Sequence, residues 1–157
     1  MNRLSLIALL AWLSLCFVVA TLGALVTDPG TWYAELTKPA WTPPNWLFAP
    51  VWTLLYTLMG VAAWMVWEYR KGSPAATVAL VLFLIQLALN GLWPWLFFGQ
   101  QAMVLAFIDI LLLWGALVAT LIAFMRVRRL AGGLLVPYLL WTTFAAALNG
   151  AIVVLNT

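Results

Sequence analysis

The chain has 157 residues, of which 67% are hydrophobic and only 7% charged, with a formal net charge of +3. A soluble domain carries about a quarter charged residues, so this sequence could not cover a water-facing surface and reads as an all-α integral membrane protein forming a single domain, 1–157. One Cys, no His and no basic stripe exclude a disulfide framework, a soft-metal centre and a nucleic-acid partner.

Five apolar stretches reach the ~20 residues that a bilayer demands: approximately 4–26, 46–67, 75–98, 102–125 and 131–155. They predict a five-transmembrane-helix bundle. The first follows Arg3 but is too long for the core of a signal peptide, so it reads as a retained span. TDPG, EYRKGSP, GQQ and RVRRLAGG punctuate the chain between spans. Arg3, Arg70, Lys71, Arg126, Arg128 and Arg129 fall on one side and Lys38 alone on the other. That bias predicts a cytoplasmic N-terminus, with the first loop and the C-terminus facing outward.

The first loop, TDPGTWYAELTKPAWTPPNW, is rich in Trp, Pro and Thr. Trp32, Tyr33, Trp41 and Trp46 carry too much apolar surface for a disordered segment, and four prolines forbid a long helix. The composition predicts a structured lid: a short helix, then an extended Pro-rich stretch. Asp28 is placed to cap that helix and Pro29 to occupy its first position, with Lys38-Pro39 ending it.

In the spans, polar residues are few and expensive, which marks them as functional candidates. The ~1.5 Å helical rise puts Asn90, Asp109, Asn149 and Trp52 at a similar depth, ~10–12 Å below the loop. Trp52 and Tyr56 share a face; so do Gln86, Asn90, Trp93 and Phe97, and Pro137, Trp141, Ala145 and Asn149. Pro137 is expected to kink the last span and widen the space there. Asn90 is expected to contact ligand, and Asp109 to accept a hydrogen bond from a neighbouring helix. Trp64 and Trp67 read as interfacial anchors and Trp12 and Trp114 as lipid-facing or packing residues. Trp32, Trp41, Trp46, Trp52, Trp93, Trp95 and Trp141 are expected around one pocket. Indole walls suit a large, flat, apolar ligand. Small residues at four-residue spacing (Ala75/Ala79, Gly115/Ala119/Ala123 and Ala146/Gly150) permit close helix packing, within the bundle or in a homodimer.

WYAELTKPAWTPPNWLF with VWTLLY, then QLALNGLWPWLFFG, the in-span Asp109 and PYLLWTTFAAALN closely resemble the TspO/translocator protein family, the tryptophan-rich sensory and peripheral benzodiazepine receptor-like proteins, over essentially the whole chain. The resemblance is to a bacterial member. It implies a five-helix bundle, often dimeric, that takes protoporphyrin IX or haem and other flat apolar ligands, with no obligatory cofactor. The family's ligand residues correspond to Tyr33, Trp52, Tyr56, Asn90 and Trp141, with Ala145 and Asn149 completing the wall. Trp41 and Trp93 join them from the aromatic pattern. No Lys or Arg follows Tyr138, so the sterol motif of mitochondrial members is absent there. A receptor or sensor aiding tetrapyrrole transport or sequestration is the leading reading. Light-dependent porphyrin degradation and small-molecule or sterol transport are the alternatives. No acid–base or nucleophilic constellation and no metal site is visible.

Overall fold

A computed structural model of the chain describes residues 3–27 and 30–157. Seven α-helices follow in order: α1 (Arg3–Val26), α2 (Thr31–Glu35), α3 (Phe48–Trp67), α4 (Pro74–Pro94), α5 (Met103–Val127), α6 (Arg129–Gly133) and α7 (Val136–Asn156). Five helical segments are long and apolar enough to cross a membrane: α1, α3 with the 3-10 turn Asn45–Leu47 before it, α4 with the π-helical turn Trp95–Gly99 after it, α5, and α6 continued into α7. Bilayer thickness dictates their length, and internal hydrogen bonding makes helices the natural solution in lipid.

Local chemistry sets the boundaries. Ser73 caps α4 by accepting from the Ala76 N–H at 3.3 Å, and Pro74 follows in the first turn, where its missing N–H costs nothing. Pro94, at the other end of α4, cannot donate to the Asn90 carbonyl four residues back, and the chain continues from it in the π turn. The last span, which Pro137 is expected to kink, is interrupted just ahead of that proline, though not within α7 itself. The break lies earlier, between α6 and α7, and leaves Pro137 in the first turn of α7.

The core between the helices is small-residue packed and aromatic. Ala62, Ala63, Ala76, Ala79, Phe83, Leu117 and Phe124 are buried where α3, α4 and α5 meet, and Phe83 stacks on Phe124 at 5.7 Å. Helix α1 is peripheral, with only Ser5, Cys16 and Gly23 buried. At the basic end of the bundle it is held to α3: a Cβ on Gly60 would come within 2.8 Å of a Leu13 methyl, Trp64 donates to Ser5 at 3.2 Å, and Trp12 meets Trp67 edge-on. Towards the loop end it rests on α4, where Val19 and Gly91 touch, as do Gly23 and Pro94. Gly150 packs on the Phe107 ring, so that small residue serves contact between α5 and α7, whereas Gly115 faces open space. Trp67, expected as an interfacial anchor, lies under the Arg70 guanidinium at 3.7 Å, and Trp114, expected to face lipid or pack, donates to Thr143 across α5 and α7 at 2.8 Å.

Candidate functional site: an aromatic cavity under a tied-down loop

The loop between α1 and α3 folds as a short helix and an extended run. Helix α2 has Gly30 in its capping position and ends at Glu35, three residues ahead of Lys38. Asp28 and Pro29, expected to start it, lie outside the described residues. Leu36 is extended, and Lys38 turns back to donate to the carbonyls of Tyr33 at 2.5 Å and Leu36 at 3.0 Å. The ammonium thus meets the unsatisfied carbonyls of a helix end. It also stands 4.7 Å over the Tyr33 ring.

Three attachments hold this loop on the bundle. Tyr33 and Trp32 pack edge-on against Phe97 in the π turn, and Tyr33 also meets Phe98. Trp41 packs edge-on against Phe144 of α7. Asn156, in the last turn of α7, accepts from the Thr37 N–H and donates to the Thr37 carbonyl, both at 2.9 Å. Burial holds the Tyr33 phenol above its usual range.

Beneath the loop lies an open cavity of about 520 Å³. Of the residues expected at the site, Tyr33, Trp52, Tyr56, Asn90, Trp93, Trp141, Ala145 and Asn149 line it. Trp41 does not: it is about half exposed on the far side of Phe144. The wider aromatic expectation also contracts. Only Trp52, Trp93 and Trp141 of its seven tryptophans reach the lining; Trp46 and Trp95 are exposed, and Trp32 packs behind Phe97. Composition counted the indoles but not their directions.

The polar groups form two clusters rather than one layer. On the floor, Tyr56 donates to Asn90 Oδ1 and Asn90 Nδ2 donates to the Tyr138 hydroxyl, joining α3, α4 and α7. Trp52 covers this bridge, its ring 5.6 Å from that of Tyr56 and 6.2 Å from that of Tyr138. Higher on the wall, Asn149 accepts from Trp93 Nε1 at 3.0 Å and donates to the Met103 carbonyl at 3.2 Å. Trp93 stacks on Phe97 at 5.0 Å. Asp109 is buried but does not line the cavity, and its Oδ2 has no hydrogen-bond partner among the described residues. Among the described residues no hydrogen bond reaches Asp109 from a neighbouring helix, where one was expected.

Sequence reasoning missed several parts of the wall, among them Phe48, Ala49 and Thr53 at the start of α3 and Ile110 and Leu113 of α5. Phe17, Ala20, Thr21, Gly23 and Ala24 of α1 and Thr27 just after it line the cavity. The signal was there as small residues three and four apart, the spacing of one helix face. Thr142 lines it too, buried beside Trp141. Its Oγ1 and the Trp141 Nε1 have no hydrogen-bond partner among the described residues. No cluster of three His, Cys, Asp or Glu suited to a metal ion occurs among the described residues. The cavity can therefore bind by stacking and by hydrogen bonds from neutral groups, and it offers no acid–base pair.

The profile of the TspO/MBR family matches residues 12–155. The tryptophan-rich protein TspO of Chlorobaculum tepidum is 44% identical over 158 residues, covering 99% of both chains. The translocator protein of Homo sapiens is 47% identical over 119 residues, 75% of this chain and 70% of its own. The tryptophan-rich sensory protein of Cereibacter sphaeroides is 42% identical over 140 residues, 89% of this chain and 85% of its own. With five apolar membrane-crossing segments and a match that runs nearly end to end, the chain belongs to the TspO/MBR family of multi-pass membrane proteins.

Proposed function

We propose that this protein is a membrane receptor or sensor whose cavity takes tetrapyrroles such as protoporphyrin IX, along with related flat apolar molecules. The observation that carries the reading is the make-up of the cavity wall. Three indoles, Trp52, Trp93 and Trp141, face a space of about 520 Å³, within the ~300–1,000 Å³ range of small-molecule sites. Indole faces reward a flat conjugated ring by stacking. Tyr56, Asn90 and Asn149 add neutral hydrogen-bonding side chains to the same wall, the few polar groups that orient a ligand in a largely apolar site. The names of the relatives agree with a sensory or translocating role.

The test is a titration of the purified protein with protoporphyrin IX, haem, coproporphyrin and cholesterol, read by quenching of Trp emission. Saturable quenching by at least one porphyrin, lost when Trp52 and Trp141 are both replaced by Ala, supports the reading. Saturation by cholesterol alone overturns it.

A further inference from the structure

We propose that ligand enters and leaves this cavity sideways, from the bilayer, through a seam between the loop-proximal halves of α1 and α3, rather than by lifting the aromatic loop. The proposal rests on the reading of the cavity as a ligand site. Its basis is where the cavity wall is open. The lining residues contributed by α4, the π turn, α5, α7 and α2 are all buried or half-buried. The exposed ones lie on α1 and just after it (Phe17, Thr21, Ala24 and Thr27) and at the start of α3 and just before it (Asn45, Ala49 and Thr53).

The course of α1 accounts for this. It is clamped to α3 at the basic end by Leu13 on Gly60 and by Ser5 with Trp64, but near the loop its close contacts, Val19 on Gly91 and Gly23 on Pro94, are with α4. A helix that leans from one neighbour to the next leaves a wedge on the side it turns away from. The wedge descends from Thr27 to Phe17, roughly 15 Å at the helical rise, well into a membrane-crossing segment. An opening at that depth faces acyl chains rather than water.

Its chemistry suits that exposure. Among the described residues, no charged one lines the seam. Thr21 and Thr53 direct their hydroxyls to the carbonyls of Phe17 and Ala49 on their own helices, each at 2.8 Å, so neither presents an unpaired hydroxyl to lipid. The loop, by contrast, is fastened by the paired Asn156–Thr37 hydrogen bonds and by aromatic contacts. The traffic is therefore in apolar molecules already dissolved in the membrane.

Two measurements on the full chain in liposomes test this. Spin labels on Thr21→Cys and Thr53→Cys report the seam without any ligand; Cys16 is fully buried and stays unlabelled. Both labels should collide readily with oxygen and poorly with a water-soluble nickel chelate, whereas a label on Leu113→Cys in the cavity wall should meet oxygen far less. Labels at 21 and 53 as shielded as that control would mean the seam is closed and would overturn the proposal. Protoporphyrin IX delivered from donor vesicles then reports the traffic. In Thr21→Trp/Thr53→Trp, association and dissociation should both slow about tenfold, because a gate changes both rates together. Asn156→Ala, which unties the loop, should leave both rates within about twofold. Unchanged rates in the double Trp variant with faster exchange in Asn156→Ala would assign entry to the loop. A wild-type protein that binds no porphyrin would defeat the proposed ligand, and the spin labels would still decide the seam.

Discussion

Replacing Asn90 with Leu isolates the energetic weight of the bridge on the cavity floor. The Asn90 amide is buried, as are Tyr56 and Tyr138, and it connects three helices by one accepted and one donated hydrogen bond. Leucine is of similar size, so little cavity forms, but two phenol groups lose their partner. An orphaned buried polar group costs ~1–3 kcal/mol. Interhelical hydrogen bonds in membranes average nearer ~0.6 kcal/mol, because the unfolded chain in lipid also finds partners. For two bonds the expectation is a loss of about 1–3 kcal/mol. At ~2–4 °C per kcal/mol for a chain of this size, Tm should fall by ~3–10 °C. The assay is thermal unfolding in a mild detergent, followed by circular dichroism. The sharper reading comes from Asn90→Leu/Tyr56→Phe/Tyr138→Phe. With every member apolar nothing is left unpaired, so this triple variant should recover most of the lost stability. A triple variant less stable than Asn90→Leu would refute the reasoning and show that the phenols hold the helices through other bonds.

Gln86 is fully buried with neither amide atom partnered among the described residues, so Gln86→Leu should raise the same Tm, a gain of about 1–3 kcal/mol; a fall would mean that the amide is engaged. Gly60→Ala should push α1 off α3, since its Cβ would stand 3.0 Å from the Leu13 backbone, and lower stability by ~1–3 kcal/mol. Gly115→Ala, with open space around it, should be neutral or stabilising by up to ~1 kcal/mol, and equal losses in the two variants would remove the packing argument. Trp52→Ala and Trp141→Ala should each weaken protoporphyrin IX binding by ~1 kcal/mol or more, about fivefold in Kd, with the fold intact; unchanged Kd in both would put the ligand elsewhere. Lys38→Met should speed amide exchange across residues 31–36 by about tenfold, the equivalent of ~1.4 kcal/mol of lost capping, whereas unaltered exchange would show that the loop helix is held by its aromatic contacts alone.

Much of this architecture was legible because it is set one residue at a time by the surroundings. Bilayer thickness fixed the span lengths, and the expected boundaries fall within a few residues of the helices observed. The loop composition, aromatic but broken by prolines, could neither dissolve nor form a long helix, and it folds as a short helix with an extended run. Of the nine residues expected at the site, all but Trp41 line the cavity, because faces of a helix follow from spacing alone. Trp41 lies outside the lining for a reason spacing cannot address: it sits in the turn closed by Thr42 N–H on the Pro39 carbonyl, where a side chain's direction depends on what it packs against, and Phe144 claims this one.

The polar layer shows where depth ceases to predict contact. Helical rise places residues along the membrane normal and says nothing of rotation about each helix axis, which packing decides. Asn90 and Asn149 share a depth band, yet one turns to the tyrosines and the other to Trp93 and a backbone carbonyl. Asp109, at similar depth, reaches neither cluster. The two prolines divide in the same way. At 137 the missing N–H falls in the first turn of α7, just after the Leu134–Leu135 break that divides it from α6, so α7 itself runs on undisturbed. At 94 it falls at the twenty-first residue of α4, beside the Asn90 carbonyl. There the chain passes into the π turn that carries Phe97 and Phe98 beneath Tyr33, and Gly23 of α1 lies against the same ring. One proline thus seats the loop and takes α1 at its loop end, the two features that decide where the cavity is covered and where it is open.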